Sequence, residues 1–265
     1  MTGAAALPRE LLEPPAGPYR GLNPATKLVV GLCEAALAFF GGAWTGPLLV
    51  LAAVLVSGAV AGVLRALLTV ALLAFTVIGA ILLVNTFFLP GATDEIVRLG
   101  PLAPTWSGLR FGIQVALRLL AFSLSLVLVY LTTGVEDLLE DLERRGLGRR
   151  PVFVIGSATR LVPRMAQRAS DIIEAQRTRG LDTEGSVRRR IGGLVPLASP
   201  LVLRAITDVE EQTLALEARG FTAPGHRTPL RVLPDSGRQR VVRWAFGIAT
   251  VAVVLASVTG WLALP

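Results

Sequence analysis

Two short stretches of this chain set an arginine beside a glycine where a helix is due to end. They read Glu174-Ala175-Gln176-Arg177-Thr178-Arg179-Gly180 and Leu216-Glu217-Ala218-Arg219-Gly220-Phe221, with their terminal arginines 40 residues apart. A guanidinium at a helix C-terminus projects beyond the rod and is favoured by the negative end of the helix dipole. It can hold a carboxylate through two parallel hydrogen bonds. The glycine supplies the left-handed residue that turns the chain aside. The chemistry on offer is therefore recognition rather than bond making. Glu174 and Glu217 lie within one turn of their arginines, to orient them or to form weak surface pairs, and Arg177 reads as a solvated neighbour. A plain helix cap explains one such ending as well as a docking peg does. A second, matching copy favours docking onto a two-fold or pseudo-two-fold partner.

Residues for other chemistry are scarce. His226 is the only histidine and Cys33 the only cysteine, so neither a Ser-His-Asp set nor a zinc spacing is available. No Gly-x-x-x-x-Gly-Lys-Ser/Thr phosphate loop occurs, so ATP is not used by that route. Asp94-Glu95 is too thin for a metal site and reads as a solvated loop. The expectation is a non-catalytic chain with no cofactor or metal of its own.

The elements that must position these arginines follow from composition. Of 265 residues, 52% are hydrophobic and only 17% charged, more apolar matter than a soluble core of this length hides. Five apolar runs are long enough to span a membrane, the first two of them short: Leu28–Trp44, Pro47–Leu64, Ala66–Leu89, Phe111–Leu131 and Val241–Leu264. Trp44, Trp106 and Trp261 fall at run ends, where amphipathic rings favour the interface. Between Gly134 and Arg240 lie 18 of the 26 basic residues and 14 of the 19 acidic ones. By the positive-inside rule this segment is cytoplasmic, which puts the N-terminus inside and the C-terminus outside the inner membrane. The expected organisation is a disordered lead over 1–21, four spans over 22–133, a cytoplasmic coupling region over 134–240, and a last span over 241–265. Glu34 and Arg118 stand inside spans, where a charge is costly; an ion pair between them and snorkelling are the alternatives.

Inside the charged region, Thr133 reads as the cap of a helix running to about Gly146, with Glu136 and Asp137 in its first turn. A second helix is predicted from about Val154 to Arg179 and a third from about Leu194 to Arg219. Pro163, Pro196 and Pro200 predict kinks or short breaks. Apolar positions such as Leu161, Leu203, Ile206 and Leu214 offer either helix–helix packing or an apolar platform. The fold class is all-α: a polytopic membrane protein with about five transmembrane helices and two or three long cytoplasmic helices.

In this arrangement the chain resembles the T component of energy-coupling factor (ECF) transporters. That family carries two Ala-Arg-Gly motifs at the ends of cytoplasmic coupling helices. The second is complete here as Ala218-Arg219-Gly220, and the first departs from it as Thr178-Arg179-Gly180. Asn23-Pro24-Ala25-Thr26-Lys27-Leu28 also resembles the family's Asp-Pro-Arg-Thr-Lys approach to the first span. The likeness extends from about Leu22 to Leu264. It implies a machine in which two ABC ATPase subunits bind ATP and magnesium, and this chain passes their closure to a small substrate-binding membrane subunit. That subunit topples to carry a vitamin or transition-metal ion inward. Arg179 and Arg219 would then be the pegs for the two ATPases. Two other readings stand beside it. One is a conventional ABC permease, whose single coupling loop Glu174-Ala175 faintly suggests. The other is a membrane-anchored regulator gripping nucleic acid or anionic lipid, which the interleaved acids oppose; no nucleic-acid partner is expected.

Overall fold

The computed structural model describes residues 17–91, 94–96, 104–178, 187–221, 223 and 235–260. The fold is all-α. Among the described residues the only extended pairing is an isolated bridge between Glu95 and Thr105. The chain divides into two compact units, the first made of residues 1–146 and 233–265, the second of 147–232.

The first unit holds α1 (Pro24–Phe40), α2 (Thr45–Val60), α3 (Leu64–Leu73), α4 (Phe75–Phe88), α5 (Trp106–Thr132), α6 (Val135–Arg144) and α9 (Gly237–Val258); the second holds α7 (Arg149–Arg177) and α8 (Val187–Ala218). α5 sits at the centre of its unit and packs against α1, α2, α3 and α4. Val54, Leu67, Leu124 and Leu128 are almost wholly buried in the core it makes with its neighbours. The opposite faces are greasy: Leu49, Leu72, Leu73, Phe75 and Val258 are each at least 70% exposed. No water-facing surface would carry so much apolar area, and lipid is its natural solvent.

Close approach of helices without a hydrophobic drive requires small residues. Gly108 and Gly112 of α5 face Asn85 and Leu82 of α4, and at Gly108 an added Cβ would run into the Asn85 carbonyl. Gly31 of α1 meets Val129 and Ser125 of α5 in the same way. Ser125 Oγ donates to the Gly31 carbonyl at 2.8 Å and lies within hydrogen-bond distance of Glu34 Oε2, at 3.3 Å. Glu34 therefore has its partner on α5 in Ser125, while Arg118 donates to the Gly42 carbonyl at 3.4 Å, so the two charges do not pair. Asn85 bonds within its own helix, to the Ile81 carbonyl at 2.8 Å.

The expected runs fall on helices of unequal length. By length and composition α5 and α9 can cross a membrane, and α3 with α4 makes a third if that pair, bent by 41°, is one span. α2 is apolar but has 16 residues, or about 24 Å of helix. α1 has 17 and carries Lys27 and Glu34. The run Ala66–Leu89 is split at Ala74 rather than straight. No proline or glycine lies at the break, and nothing in the local sequence explains it. α5 begins at Trp106, five residues ahead of the apolar run. Thr105 caps it by accepting from Gly108 N at 3.2 Å, and Asp94 accepts from Ser107 N at 2.8 Å and Ser107 Oγ at 2.7 Å. Those bonds hold the Asp94 carboxyl below its ordinary range. Asp94 is thus a staple for a helix start rather than a merely solvated loop residue.

Residues 17–21, expected within the lead, are placed against the first unit. From Gly17 the chain turns onto the end of α2: Arg20 Nε donates to the Ala61 carbonyl at 2.9 Å, and Tyr19 packs against the core. Burial, and then the charge of Glu34, pushes the Tyr19 phenol up to about 12. Residues 1–16 lie outside the described residues. At α6 the cap position belongs to Gly134, not Thr133, and makes no side-chain cap bond.

Candidate functional site

The helix that ends at the second arginine motif is longer than the sequence predicts. α8 runs over 32 residues from Val187, and neither Pro196 nor Pro200 ends it. Its early start takes in Arg188-Arg189-Arg190; arginine is a good helix former, and the two glycines that follow cost about 1 kcal/mol each without stopping it. α7 likewise starts at Arg149 rather than Val154, because Pro151 falls in the first turn, where a missing N–H is harmless. Pro163 lies inside α7 without breaking it.

The end of α8 is a Schellman cap. Phe221 N donates to the Leu216 carbonyl at 2.9 Å and Gly220 N to the Glu217 carbonyl at 2.9 Å. Gly220 takes φ +63°, the left-handed conformation that makes this closure possible. Ala218 is thus the last helical residue, Arg219 the half-in flanking residue and Gly220 the turn. Arg219 is exposed and bonds to the helix through its backbone N–H, which donates to the Ala215 carbonyl at 3.2 Å. Glu217 is exposed too, and its carbonyl is part of the cap.

Phe221 anchors this end to α7. Its ring stands 4.8 Å from that of Phe153, and the Arg149 guanidinium lies 4.2 Å above its centre. The cation is drawn to the negative ring face. Further along, Asp208 of α8 accepts from Arg168 of α7 and from Arg204 of its own helix, the latter at 3.3 Å. Among the described residues the two helices are therefore pinned by an aromatic and an ionic clasp, neither of which the sequence reading singled out. The signals were present: an aromatic following the Arg-Gly pair, and an acid midway along an apolar helix.

At the first motif the described chain ends at Thr178. Arg179 and Gly180 lie outside the described residues. Arg177 is exposed in the last turn of α7 and Glu174 one turn before it. Thr178 N donates to the Glu174 carbonyl at 3.2 Å and Thr178 Oγ1 to the Ala175 carbonyl at 2.7 Å. The threonine standing where the motif has alanine uses its hydroxyl to satisfy a terminal helix carbonyl.

Between these ends, Val202, Leu203, Ile206, Val209 and Leu214 of α8 are all more than 50% exposed, as are Val154 and Val162 of α7. Met165 and Ile172 of α7 and Leu216 of α8 are half-buried by contrast. The arrangement can do two things chemically. It presents a cation at a rigid helix end, and it offers an apolar strip to a partner.

A family profile described as CbiQ, cobalt transport protein, matches residues 16–230 of the chain. Among curated proteins it is similar to the energy-coupling factor transporter transmembrane protein of Heliobacterium modesticaldum, with 37% identity over 66% of this chain and 68% of that one. The protein of the same name from Brevibacillus brevis is 37% identical over 58% of this chain and 59% of its own length. That of Thermosediminibacter oceani is 26% identical over 88% of this chain and 91% of its own.

Proposed function

The chain belongs to the CbiQ family and is a T component of ECF transporters, and from that premise we propose that it transmits the closure of two cytoplasmic ABC ATPase subunits to a small substrate-binding membrane subunit. The cargo class on this reading is a vitamin or a transition-metal ion. ATP and magnesium are bound by the partner ATPases, and this chain makes and breaks no bonds. α7 and α8 are the coupling helices and lie on the cytoplasmic side, with the N-terminus inside and the C-terminus outside the inner membrane.

The observation that carries this reading is the cap of α8. Its hydrogen bonds are closed by Gly220 and Phe221, so Arg219 is not needed to finish the helix and its side chain is left exposed. A guanidinium held on a rigid, capped rod loses little entropy when it meets a carboxylate. Arg179 is assigned the equivalent role at the end of α7. The exposed apolar strip of α8 supports a platform for the substrate-binding subunit. Docking by such a peg into a desolvated acidic groove is worth about 2–5 kcal/mol on truncation.

The test is co-purification from membranes. Arg179→Glu with Arg219→Glu should abolish recovery of the ATPase subunits while the chain still inserts. Unchanged recovery would refute the assignment of both arginines.

A further inference from the structure

A second arginine-rich assembly lies in the first unit, around the first turn of α1. Asn23 is fully buried and Thr26 and Lys27 nearly so. Asn23 caps α1, its Oδ1 accepting from Ala25 N at 3.0 Å. The same side chain reaches α6, where Nδ2 donates to Asp141 Oδ1 at 2.8 Å. Its backbone N–H donates to Gln239 Oε1 of α9 at 2.8 Å. Thr26 Oγ1 accepts from Arg243 Nη1 of α9 at 2.8 Å. Lys27 Nζ donates to the Thr132 carbonyl at the end of α5, 2.9 Å away. One helical turn thus ties α5, α6 and α9 together.

The outer edge of this knot sits where the chain changes unit. Residue 146 is the last of the first unit before the excursion to the second, and 233 is the first on return. Arg145 directly precedes the exit and Asp235 closely follows the return. Arg145 Nε donates to Asp141 Oδ2 at 2.6 Å, and its Nη2 reaches Asn23 Oδ1 at 3.2 Å and Asp235 Oδ2 at 3.4 Å. Asp235 is gripped from the other side by the Arg243 fork, at 3.0 Å and 3.1 Å. Gly146, just beyond Arg145, takes φ +106°, the left-handed turn by which the chain leaves α6, and its N–H donates to the Glu143 carbonyl at 3.1 Å.

We propose that Arg145 and Asp235 are positioning residues that clamp the outgoing and returning chain to the first turn of α1, so that force on residues 147–232 reaches α1 and α9 as one displacement. This rests on the coupling reading above. A connection made of two loose strands would absorb such force in backbone rotations. Joined to each other and to a buried cap, Arg145 and Asp235 move with α1. Asn23, Asp141 and Arg243 complete the grip. Charged groups suit it better than apolar ones, because hydrogen-bonded ion pairs fix register even where they add little stability.

The experiment uses the full complex with its ATPase and membrane partners. Nitroxide labels are placed at Gly79→Cys and Thr213→Cys in a Cys33→Ala background. The inter-label distance distribution is measured by double electron–electron resonance with and without ATP–Mg. The intact clamp should give a narrow distribution that shifts as a whole on nucleotide addition. Arg145→Gln, and separately Asp235→Asn, should at least double its width and abolish the shift, with ATPase recovery and ATP hydrolysis retained. Arg145→Lys should restore both width and shift. A narrow, shifting distribution in Arg145→Gln overturns the proposal. Broadening that Arg145→Lys fails to reverse overturns it too, because that is general fold damage. A parent complex that loses its ATPases, or keeps them and shows no shift, overturns the coupling reading instead.

Discussion

Arg243 and Arg219 are the same side chain in opposite settings. Arg243 is 8% exposed, and its guanidinium is shared among Thr26 and both oxygens of Asp235. Arg219 is exposed, and among the described residues it bonds through its backbone alone. The first is spent inside the chain: its value is the orientation it imposes on α9. The second is withheld, because a Schellman cap has already satisfied the helix end. An arginine near a helix terminus is thus not informative by itself. What matters is whether the chain has other means to satisfy the groups around it.

The contrast can be broken at four places. Arg243→Ala should have the largest effect. It strips Thr26 of its donor and leaves Asp235 with only the 3.4 Å bond from Arg145, at about 2 kcal/mol for hydrogen bonds to a charged group. Thermal unfolding of the detergent-solubilised chain would show it, and an unchanged midpoint would mean that the knot is not integral to the fold. Gly220→Ala forces a Cβ into the left-handed region and should cost about 1 kcal/mol. Faster hydrogen exchange at the Phe221 amide is the expected sign that the cap has opened. Arg219→Ala should change the stability of the isolated chain by no more than about 0.5 kcal/mol. A larger loss would place Arg219 in the same class as Arg243.

The smallest effect is one of pH. The Arg243 hydrogen bond, and then the charges of Arg243, Arg145 and Arg240, hold Asp235 below its ordinary value of 3.8. A depressed carboxylate stabilises above its unfolded pKa and loses that contribution as pH falls through the lower folded value. The stability difference between the chain and Asp235→Asn should therefore stay flat between about pH 5 and pH 7. It should shrink only below 3.8. A difference that titrates near neutrality would assign the effect to another group.

Part of this molecule was legible without coordinates. The helical class, the Arg-Gly ending of α8 with its glycine turn at 220 and the segregation of charge all follow from local rules of period, capping and composition. The apolar runs were legible as runs, but their division was not: the bend at Ala74 leaves no mark in the sequence. Arg243 was hidden inside the apolar run Val241–Leu264. Nothing local separates a charge at the edge of a span from one that joins a buried network. Asn23-Pro24-Ala25-Thr26-Lys27 was visible as a motif, yet its purpose depends on Asp141, Gln239 and Arg243, more than a hundred residues away.

The sequence by itself determined which segments are helical, where α8 stops and which side chains carry charge, because those outcomes depend on neighbours within a turn or two. The tertiary structure alone decided which charges are consumed and which are left exposed, because that depends on partners brought together from distant parts of the chain. Asn23 and Asp141 are 118 positions apart yet share a hydrogen bond of 2.8 Å. Burial makes that bond costly to lose, and only the assembled helices create the burial.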